Sequence, residues 1–383
     1  MKYFIVAGEQ SGDLHGSNLV KALLKRDNEA VIACWGGDLM QEAGARLLMH
    51  YKKTAIMGIT AVVKNLGTFI RNLSLCRDQI ISFRPDVLIL IDFPGFNLRL
   101  AKMIKDLDQG IKIFYYISPK FWAWGEYRIK KIKKSIDRMF IIFPFEKDFY
   151  NKHGIQVEYY GNPLVDETER RFDSLPEKSE ILKSLALPEK PLIALLAGSR
   201  KHEVRAILPK MISIIDDLPG YQFVIAGVGN LPDDLYKIII GDKPVKIVKD
   251  KTYEILKVAD AALVASGTAT LETALFNIPQ VVCYKGDFLS MLIAWIMIKV
   301  KYVSLVNLLL DKEAVKELLG YSLTSRNLLR ETRDILPGGA GRNQMLSDYS
   351  VIRTKLGPAG ASDRIALEMI NALKNRTGDK QTE

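Results

Sequence analysis

The chain has 383 residues, 48% of them hydrophobic, which is long for one domain and provides enough apolar material for two cores. Its net charge of +10 indicates an anionic partner, but charge alone does not choose among a nucleic acid, a nucleotide and an acidic membrane surface. The three cysteines form no C-x-x-C pair, which argues against a disulfide framework or a cysteine metal site and favours a reducing compartment.

The first predicted strand, residues 3–7, leads into a turn with the composition of a ligand-binding turn. Its apolar run is too short for a signal peptide, so we expect a cytoplasmic protein. The glycines of this turn and of the helix predicted from Leu14 do not have the G-x-G-x-x-G spacing, since Gly8, Gly12 and Gly16 are four residues apart. The next predicted strand, residues 30–35, has no acidic residue at its end for the ribose of a dinucleotide. The pattern therefore argues against a nicotinamide enzyme.

Strands and helices continue to alternate up to about residue 165. Further strands are predicted over residues 87–91, 111–117 and 138–142. Helices are predicted over residues 38–45 and 61–83, and two more are predicted to end near residue 107 and just before residue 138. Alternation at this spacing predicts a parallel sheet with helices on both faces.

A second unit of the same kind follows a charged stretch with two prolines, residues 166–190. It has predicted strands over residues 192–196, 222–226 and 245–248, and a turn from Ala197 to Arg200 before a helix. We therefore expect an α/β fold with two doubly wound parallel-sheet domains, residues 1–165 and 166–354, whose ligand turns face a cleft. A last helix at about residues 355–375 is expected to pack back on the first domain, and the polar tail from Asn375 to be disordered.

Residues 261–285 contain the clearest ligand turn of the second unit. A strand over residues 261–265 is followed by a turn, a short helix over residues 269–276 and a strand over residues 280–284. The turn and the start of the helix offer free N–H groups, a glycine for close approach and three hydroxyls, which suit a phosphate; these residues are Ser266, Gly267, Thr268 and Thr270. Glu272 lacks the capping-box spacing, so its carboxylate is predicted either to accept from sugar hydroxyls or merely to complement the helix dipole.

Ten short motifs, taken together, resemble the lipid-A-disaccharide synthase family of bacterial GT-B glycosyltransferases over almost the whole chain. They are AGEQSGD (7–13), GGDLM (36–40), MGITAV (57–62), IDFPGFN (91–97), YYISPKFWAW (115–124), FPFEKDFY (143–150), GNPLVD (161–166), AGSR (197–200), SGTATLE (266–272) and VSLVNLLL (303–310). Turns like SGTATLE occur in other nucleotide-sugar enzymes, but ten motifs in order are specific. The resemblance implies a GT-B-like fold and transfer of a diacylglucosamine from UDP-diacylglucosamine to diacylglucosamine 1-phosphate, giving a β-1,6-linked disaccharide and UDP.

The chain departs from the family pattern at four positions. Gly95 replaces the second aspartate of I-D-x-P-D-F-N, which is commonly proposed as the catalytic base, so the identity of the base is open. Ala61 stands where many members have glutamate, and Val306 and Lys316 replace prolines. The two proline replacements are expected to be backbone adjustments.

Displacing UDP with inversion requires donors around the leaving diphosphate and a base near the attacking hydroxyl. The expected UDP-sugar ligands are Gly198, Ser199, Arg200, Glu203, Ser266, Gly267, Thr268, Thr270, Glu272 and Asn307. With these donors no metal and no other cofactor is expected, and Asp106 and Asp108, at a helix end, are interpreted as a solvated face and not as a metal site.

Asp92, at the end of a buried strand, is the first candidate for the base, and Glu9 and Asp13 in the first ligand turn are the others. A loop-anchoring carboxylate is an equally weighted interpretation of Asp92.

Three segments suggest contact with a lipid acceptor and with the anionic inner face of the cytoplasmic membrane. A stripe over residues 61–81 combines apolar residues with Lys64 and Arg71, although core packing explains the same stripe. Residues 288–298 are apolar on every face but too short to span a bilayer, which takes about 20 residues. The third segment, residues 120–138, has Trp122, Trp124 and Arg128 for an anionic headgroup. We expect a peripheral membrane protein, and a homodimer is compatible with the sequence.

Two alternatives remain at this point. Another UDP-sugar enzyme of the same architecture, such as a 2-epimerase, would share the turns of the second domain without needing a surface for acyl chains. Basic residues interleaved with aromatics also occur in nucleic-acid-binding proteins, although no RNP-type strand motif is present and no nucleic acid is expected as the partner.

Overall fold

The computed structural model describes residues 1–54, 66–107, 110–119, 121–122, 129–285 and 301–379. They form two compact units, one of Met1–Pro163 with Ala359–Glu383 and one of Leu164–Pro358. Each unit is built on one parallel sheet, which confirms the predicted fold class.

The sheet of the first unit has seven strands in the order β3-β2-β1-β4-β5-β6-β7. These strands are β1 (Lys2–Ala7), β2 (Val31–Gly36), β3 (Arg46–His50), β4 (Val87–Ile91), β5 (Lys112–Tyr116), β6 (Arg138–Ile141) and β7 (Glu158–Tyr159). The helices of this unit are α1 (Gln10–Arg26), α2 (Asp38–Glu42), α3 (Tyr51–Thr54), α4 (Leu66–Phe83), α5 (Pro94–Leu107), α6 (Ile129–Ser135) and α7 (Glu146–Lys152), with the last helix of the chain, Ala361–Asp379, added from the far end of the sequence.

Two cores cover the two faces of this sheet because successive side chains of a strand point to opposite sides. Phe4 and Val6 of β1 pack with the apolar faces of α4 and α5. Tyr3 and Ile5, the alternate residues, pack with α1 and the last helix. Strands buried on both faces in this way read as continuous apolar runs, which is why β4 was predictable to the residue.

The sheet of the second unit has six strands in the order β10-β9-β8-β11-β12-β13. They are β8 (Leu192–Leu196), β9 (Gln222–Gly227), β10 (Val245–Lys249), β11 (Ala261–Ala265), β12 (Gln280–Tyr284) and β13 (Lys316–Leu319). The helices are α8 (Pro163–Ser174), α9 (Lys178–Ser184), α10 (Lys201–Ile212), α11 (Asp233–Ile240), α12 (Thr252–Val258), α13 (Thr268–Leu275), α14 (Leu305–Leu310), α15 (Ser325–Ile335) and α16 (Arg342–Leu356), with a 3₁₀ turn at Gly320–Ser322 before α15. The last helix of the chain, Ala361–Asp379, is α17.

Several boundaries differ from the sequence predictions. Helix α1 begins at Gln10, so most of the predicted turn is the first turn of this helix. Strands β3, β7 and β13 were not predicted, since most of their residues are only partly buried. The charged stretch of residues 166–190, for which no helix was predicted, contains most of α8 and all of α9, and α17 continues into the tail predicted to be disordered, as far as Asp379.

Helix α17 packs on α1 of the first unit. Ile365 and Met369 join the core that contains Leu19 and Leu23 of α1, and Arg26 forms an ion pair with Asp363 at the edge of this contact. The 195 residues of the second unit therefore lie between two segments of the first unit in the sequence.

The three cysteines are free and buried, as expected for core residues. Among the residues that the structure describes, no helix is long and apolar enough to cross a membrane.

Candidate functional site

The ends of β1 and β4 bring two predicted ligand turns together in the first unit. Ala7 pairs with Ile91 across the two parallel strands, so the turn at Gly8 lies beside the turn at Asp92. A Cβ atom on Gly8 would lie 2.3 Å from the ring of Phe93. Gly8 is therefore required for this close approach.

The turn after β4 has a strained backbone. Asp92 and Phe93 both adopt left-handed conformations, with φ of 44° and 49°, and Ile117 after β5 does so with φ of 63°. Such conformations cost about 1–3 kcal/mol each in ordinary residues and concentrate at functional sites. The Asn97 amide and the Tyr115 hydroxyl both donate to the Asp92 carbonyl, at 2.7 Å and 2.5 Å. Two buried donors thus hold the half-buried Asp92 in this turn.

Glu9 is the N-cap residue of α1, with an extended backbone and a half-buried side chain. No hydrogen bond to its carboxylate comes from the described parts of the chain. It lies at the end of β1, next to the end of β4. Glu9 can therefore reach the same edge of the sheet as Asp92.

Asp13 has a different role, because its carboxylate is buried and accepts three backbone hydrogen bonds. The donors are the N–H groups of Gly37 at 2.8 Å, Met40 at 3.1 Å and Leu39 at 3.2 Å. These groups lie at the N-terminus of α2, where a helix leaves N–H groups without partners. With 3% of its surface exposed, Asp13 anchors α2 to α1, and this geometry does not support the predicted role as a base.

Glu146 is a buried carboxyl at the same edge of the sheet that sequence reasoning did not select. Its oxygens accept from the Ser118 hydroxyl at 2.5 Å, the Trp122 indole at 3.0 Å and the backbone N–H of Phe143 at 3.0 Å. Burial raises the pKa of this carboxyl to about 7, and the hydrogen bonds oppose that rise. Only its place in the motif FPFEKDFY could have drawn attention to it.

In the second unit, β8 and β11 are adjacent, and a helix starts at the end of each. Leu196 pairs with Val264, so the turn before α10 lies near the turn before α13. Both helices direct free N–H groups and the positive end of their dipoles toward this edge, which is favourable for an anion. The two turns therefore make one candidate phosphate site.

The turn from Gly198 to Arg200 is held by Glu203. One oxygen of this carboxylate accepts from the backbone N–H groups of Ser199 and Arg200, each at 3.1 Å, and the other from the Arg200 guanidinium at 3.2 Å. A Cβ atom on Gly198, where φ is +102°, would lie 2.6 Å from the carboxylate. Glu203 thus caps α10, while Ser199 and most of the Arg200 side chain remain exposed.

The turn at Ser266 to Thr270 presents mostly backbone. Gly267 is the N-cap residue of α13, with φ of +148°. The Thr270 hydroxyl is buried and donates to the Gly267 carbonyl at 2.8 Å, and the Ser266 hydroxyl donates to the Val303 carbonyl at 3.3 Å. Only the Thr268 side chain of the three predicted hydroxyls is exposed.

Glu272 lies in the second turn of α13. Its carboxylate was expected to have no partner within the chain, but it has one. The Tyr253 hydroxyl donates to one of its oxygens at 2.8 Å. Burial raises the pKa of the Glu272 carboxyl, this hydrogen bond lowers it, and the nearby Glu167 charge raises it. The second oxygen receives no hydrogen bond from the described residues.

Asn307 is fully engaged within the second unit. Its amide nitrogen donates to the Val315 carbonyl and to Glu317, each at 2.9 Å, and its oxygen accepts from the N–H groups of Ala314 and Val315. With none of its surface exposed, Asn307 fixes the loop before β13. This geometry does not support the predicted contact with a diphosphate.

The predicted lipid-facing residues are only partly described. Arg71 is exposed on α4 and Trp122 is half-buried after β5, whereas Lys64, Trp124, Arg128 and residues 288–298 lie outside the described residues. Asp106 pairs with Lys102, one turn earlier on α5, and Asp108 lies outside the described residues. Within the described ranges, no group of three or more His, Cys, Asp or Glu side chains could hold a metal.

Gly95, the departure at the expected base, is the second residue of α5. It is exposed, and a Cβ atom built on it would meet no described atom within 4 Å. There is therefore space for a longer side chain at this position, so packing does not explain why the chain has glycine here.

The chain is similar to known proteins of one family over most of its length. The family model for lipid-A-disaccharide synthetase matches residues 3–354. The chain belongs to this family. Curated relatives include lipid-A-disaccharide synthases from Myxococcus xanthus, 36% identical with 97% of both chains covered, and from Geobacter metallireducens, 34% identical with 96% of this chain and 97% of the relative covered. Lipid-A-disaccharide synthase 1 of Legionella pneumophila (strain Paris) is 38% identical over 85% of each chain.

Solved structures with a similar fold are more distant in sequence. The UDP-GlcNAc 2-epimerase of Neisseria meningitidis bound to UDP-GlcNAc has a TM-score of 0.68 at 13% identity, covering 97% of this chain and all of the epimerase. The S. aureus MnaA-UDP structure has a TM-score of 0.67 at 14% identity, covering 97% of each chain. At this level of identity the likeness establishes the fold alone.

Proposed function

We propose that this protein is an inverting glycosyltransferase that transfers 2,3-diacylglucosamine from its UDP derivative to 2,3-diacylglucosamine 1-phosphate. The products are the β-1,6-linked lipid A disaccharide 1-phosphate and UDP. The observation that carries the proposal is the match to one family over residues 3–354, with relatives named lipid-A-disaccharide synthase at more than 30% identity. No feature of comparable weight favours the 2-epimerase or nucleic-acid alternatives.

The proposal is tested by product analysis. Purified protein incubated with UDP-diacylglucosamine and diacylglucosamine 1-phosphate is expected to release UDP and disaccharide 1-phosphate in equal amounts, and only when both substrates are present. Mass spectrometry of the lipid product and chromatography of the nucleotide measure this. Epimerisation of the UDP-sugar without an acceptor, or no reaction with both lipids, would contradict the proposal.

The UDP group is assigned to the second unit. The exposed part of Arg200 can donate a charge-assisted hydrogen bond to the diphosphate, and the helix starts after Arg200 and Gly267 supply backbone N–H groups. The oxygen of Glu272 that faces no described donor can accept from the ribose hydroxyls. Glu203, Thr270 and Asn307 support these groups indirectly, through the backbone that they hold.

Glu272→Ala is expected to weaken UDP binding by about 1–3 kcal/mol, the range for a hydrogen bond to a charged group. Isothermal titration calorimetry with UDP measures the change. Glu313→Ala is the matched control, since this exposed carboxylate of the same unit lies in the loop before β13 and pairs with Lys316. If UDP affinity is the same in both variants and the wild type, Glu272 does not bind UDP and only complements the helix dipole and accepts from Tyr253.

The transfer step needs one proton acceptor in the first unit. The acceptor hydroxyl gives its proton to a carboxylate, its oxygen bonds to the anomeric carbon, and the bond to the diphosphate breaks with its electron pair leaving on UDP. Because Gly95 cannot titrate, we assign the carboxylate to Asp92, in the strained turn after β4, with Glu9 on the neighbouring turn as the alternative.

We also propose peripheral association of the first unit with an anionic membrane surface. Leu66 and Ile70, one turn apart on α4, expose 53% and 54% of their surface, and Arg71 beside them is exposed. Helix α6 adds a second basic surface of four exposed lysines, Lys130, Lys131, Lys133 and Lys134. Apolar insertion together with headgroup attraction is the usual combination for such binding.

Vesicles containing an anionic lipid are expected to retain the protein at low salt and to release part of it at high salt, because salt screens only the basic residues. Replacing Leu66 and Ile70 by serine is expected to abolish the salt-resistant fraction in a co-sedimentation assay. Ile238→Ser, at an exposed apolar residue of the second unit, is the control and is expected to bind like the wild type. Wild-type protein that does not sediment with vesicles at any salt would contradict the proposal.

A further inference from the structure

The segment that follows β5, described at Ser118, Pro119, Phe121 and Trp122, is held at the first and the last of these residues by one carboxylate. Glu146, the first residue of α7, accepts from the Ser118 hydroxyl and the Trp122 indole. The same carboxylate accepts from the backbone N–H groups of Ile142 at 3.3 Å and Phe143 at 3.0 Å, where β6 ends. With 1% of its surface exposed, Glu146 joins the turns after two neighbouring strands.

Two further contacts from the same part of the chain hold the segment. The Tyr150 hydroxyl, one turn further along α7, donates to the Pro119 carbonyl at 3.1 Å. The Trp122 ring packs edge-on against Phe145, with ring centroids 5.0 Å apart. We refer to Ser118, Trp122 and Glu146 with these two contacts as the latch. Its members come from two elements far apart in sequence, so it fixes the segment relative to the sheet.

The latch lies next to the turn that contains the proposed base. Strands β4 and β5 are neighbours, and Asp92 donates its backbone N–H to the Tyr116 carbonyl at 3.2 Å. Tyr115 of β5 in turn donates to the Asp92 carbonyl. The segment held by Glu146 therefore begins two residues after the strand that supports Asp92, at the edge where parallel sheets bind ligands.

We infer that Glu146 is a positioning residue for the acceptor lipid, which it serves by holding Trp122 and the Ser118 turn beside Asp92. This inference rests on the proposed function, since it assumes that the acceptor binds at this edge of the first unit. Glu146 itself is buried and does not touch the substrate.

The latch depends on the charge state of Glu146. Three of its four partners are N–H groups, which only donate, so an ionised carboxylate satisfies all of them. The proton of a neutral acid could be accepted only by the Ser118 hydroxyl, and the neutral acid is a weaker acceptor for the N–H groups. Burial raises the pKa of Glu146 to about 7, so protonation occurs below that pH. The titratable groups facing it are the hydroxyls of Tyr150 and Tyr159. Burial raises the pKa of both hydroxyls and the Glu146 charge raises it further, so both stay neutral in this range. Lowering the pH from 8 to 6 should therefore loosen the latch.

Glu146→Gln is expected to raise the KM for the acceptor about tenfold and to leave the KM for the UDP-sugar unchanged, because the donor binds the second unit. In the wild type the acceptor KM is expected to rise as the pH falls from 8 to 6, and in the variant this dependence should be absent. Glu42→Gln, at an exposed carboxylate of the same unit, is the control. An unchanged acceptor KM in Glu146→Gln, or equal increases for both substrates, would overturn the inference.

A second readout requires no substrate and separates failure of the latch from failure of the proposed function. The fluorescence difference between the wild type and Trp122→Phe is expected to titrate with a midpoint near pH 7, and the same difference measured in a Glu146→Gln background should be flat. A flat profile in the wild type would overturn the latch. Normal titration in a protein that forms no disaccharide would instead contradict the proposed function, and with it the role toward the acceptor.

Should Glu146→Gln fail to fold, Trp122→Phe and Ser118→Ala each remove one donor of the latch without changing its charge. Each is expected to raise the acceptor KM severalfold and leave the donor KM unchanged. Wild-type acceptor KM in both variants would overturn the inference in that case.

Discussion

Backbone N–H groups at the ends of buried parallel strands and at the starts of helices need acceptors, because an unpaired buried N–H group costs about as much as a lost hydrogen bond. In this chain carboxylates supply many of these acceptors. Asp13 serves three N–H groups at the start of α2, Glu146 serves two after β6, and Glu203 serves two before α10. Glu317 likewise accepts from Val303 and Ser304. The turns that carry the candidate site are therefore built around side chains that bind backbone.

The same constraint separates structural carboxylates from those that can act on a ligand. Asp13 belongs to a motif shared with the family and Glu203 follows another, but the oxygens of both carboxylates are occupied by their own chain. Glu9 and one oxygen of Glu272 have no donor within the described residues, and Asp92 lies in a strained turn held by Asn97 and Tyr115. A carboxylate in such a motif can thus either hold the backbone or act on a ligand, and its hydrogen bonds show which.

The sequence predicted the buried centre of each sheet well, since runs such as Val87–Ile91 and Ala261–Ala265 are apolar throughout and bounded by turn residues. It failed at the edge strands β3, β7 and β13, where partial burial leaves little pattern, and at α8, where many charged residues obscured the helical pattern. Asp13 was selected as a candidate but its anchoring role was not predicted, and Glu146 was not selected at all, because the partner of Asp13 lies 24 residues away and that of Glu146 lies 28 residues away. Local periodicity carries no information on such contacts.

The most direct test of this account compares Asp92→Asn with Asp13→Asn, measuring both kcat and the free energy of unfolding in urea. Asparagine tolerates the left-handed backbone, so Asp92→Asn is expected to keep wild-type stability and UDP affinity while kcat falls about a hundredfold or more, as for loss of a general base. Asp13→Asn is expected to lower the free energy of unfolding by about 1–3 kcal/mol, because buried N–H groups lose their charged acceptor. The account is contradicted if Asp92→Asn turns over normally while Glu9→Gln does not, or if Asp13→Asn has wild-type stability and no activity.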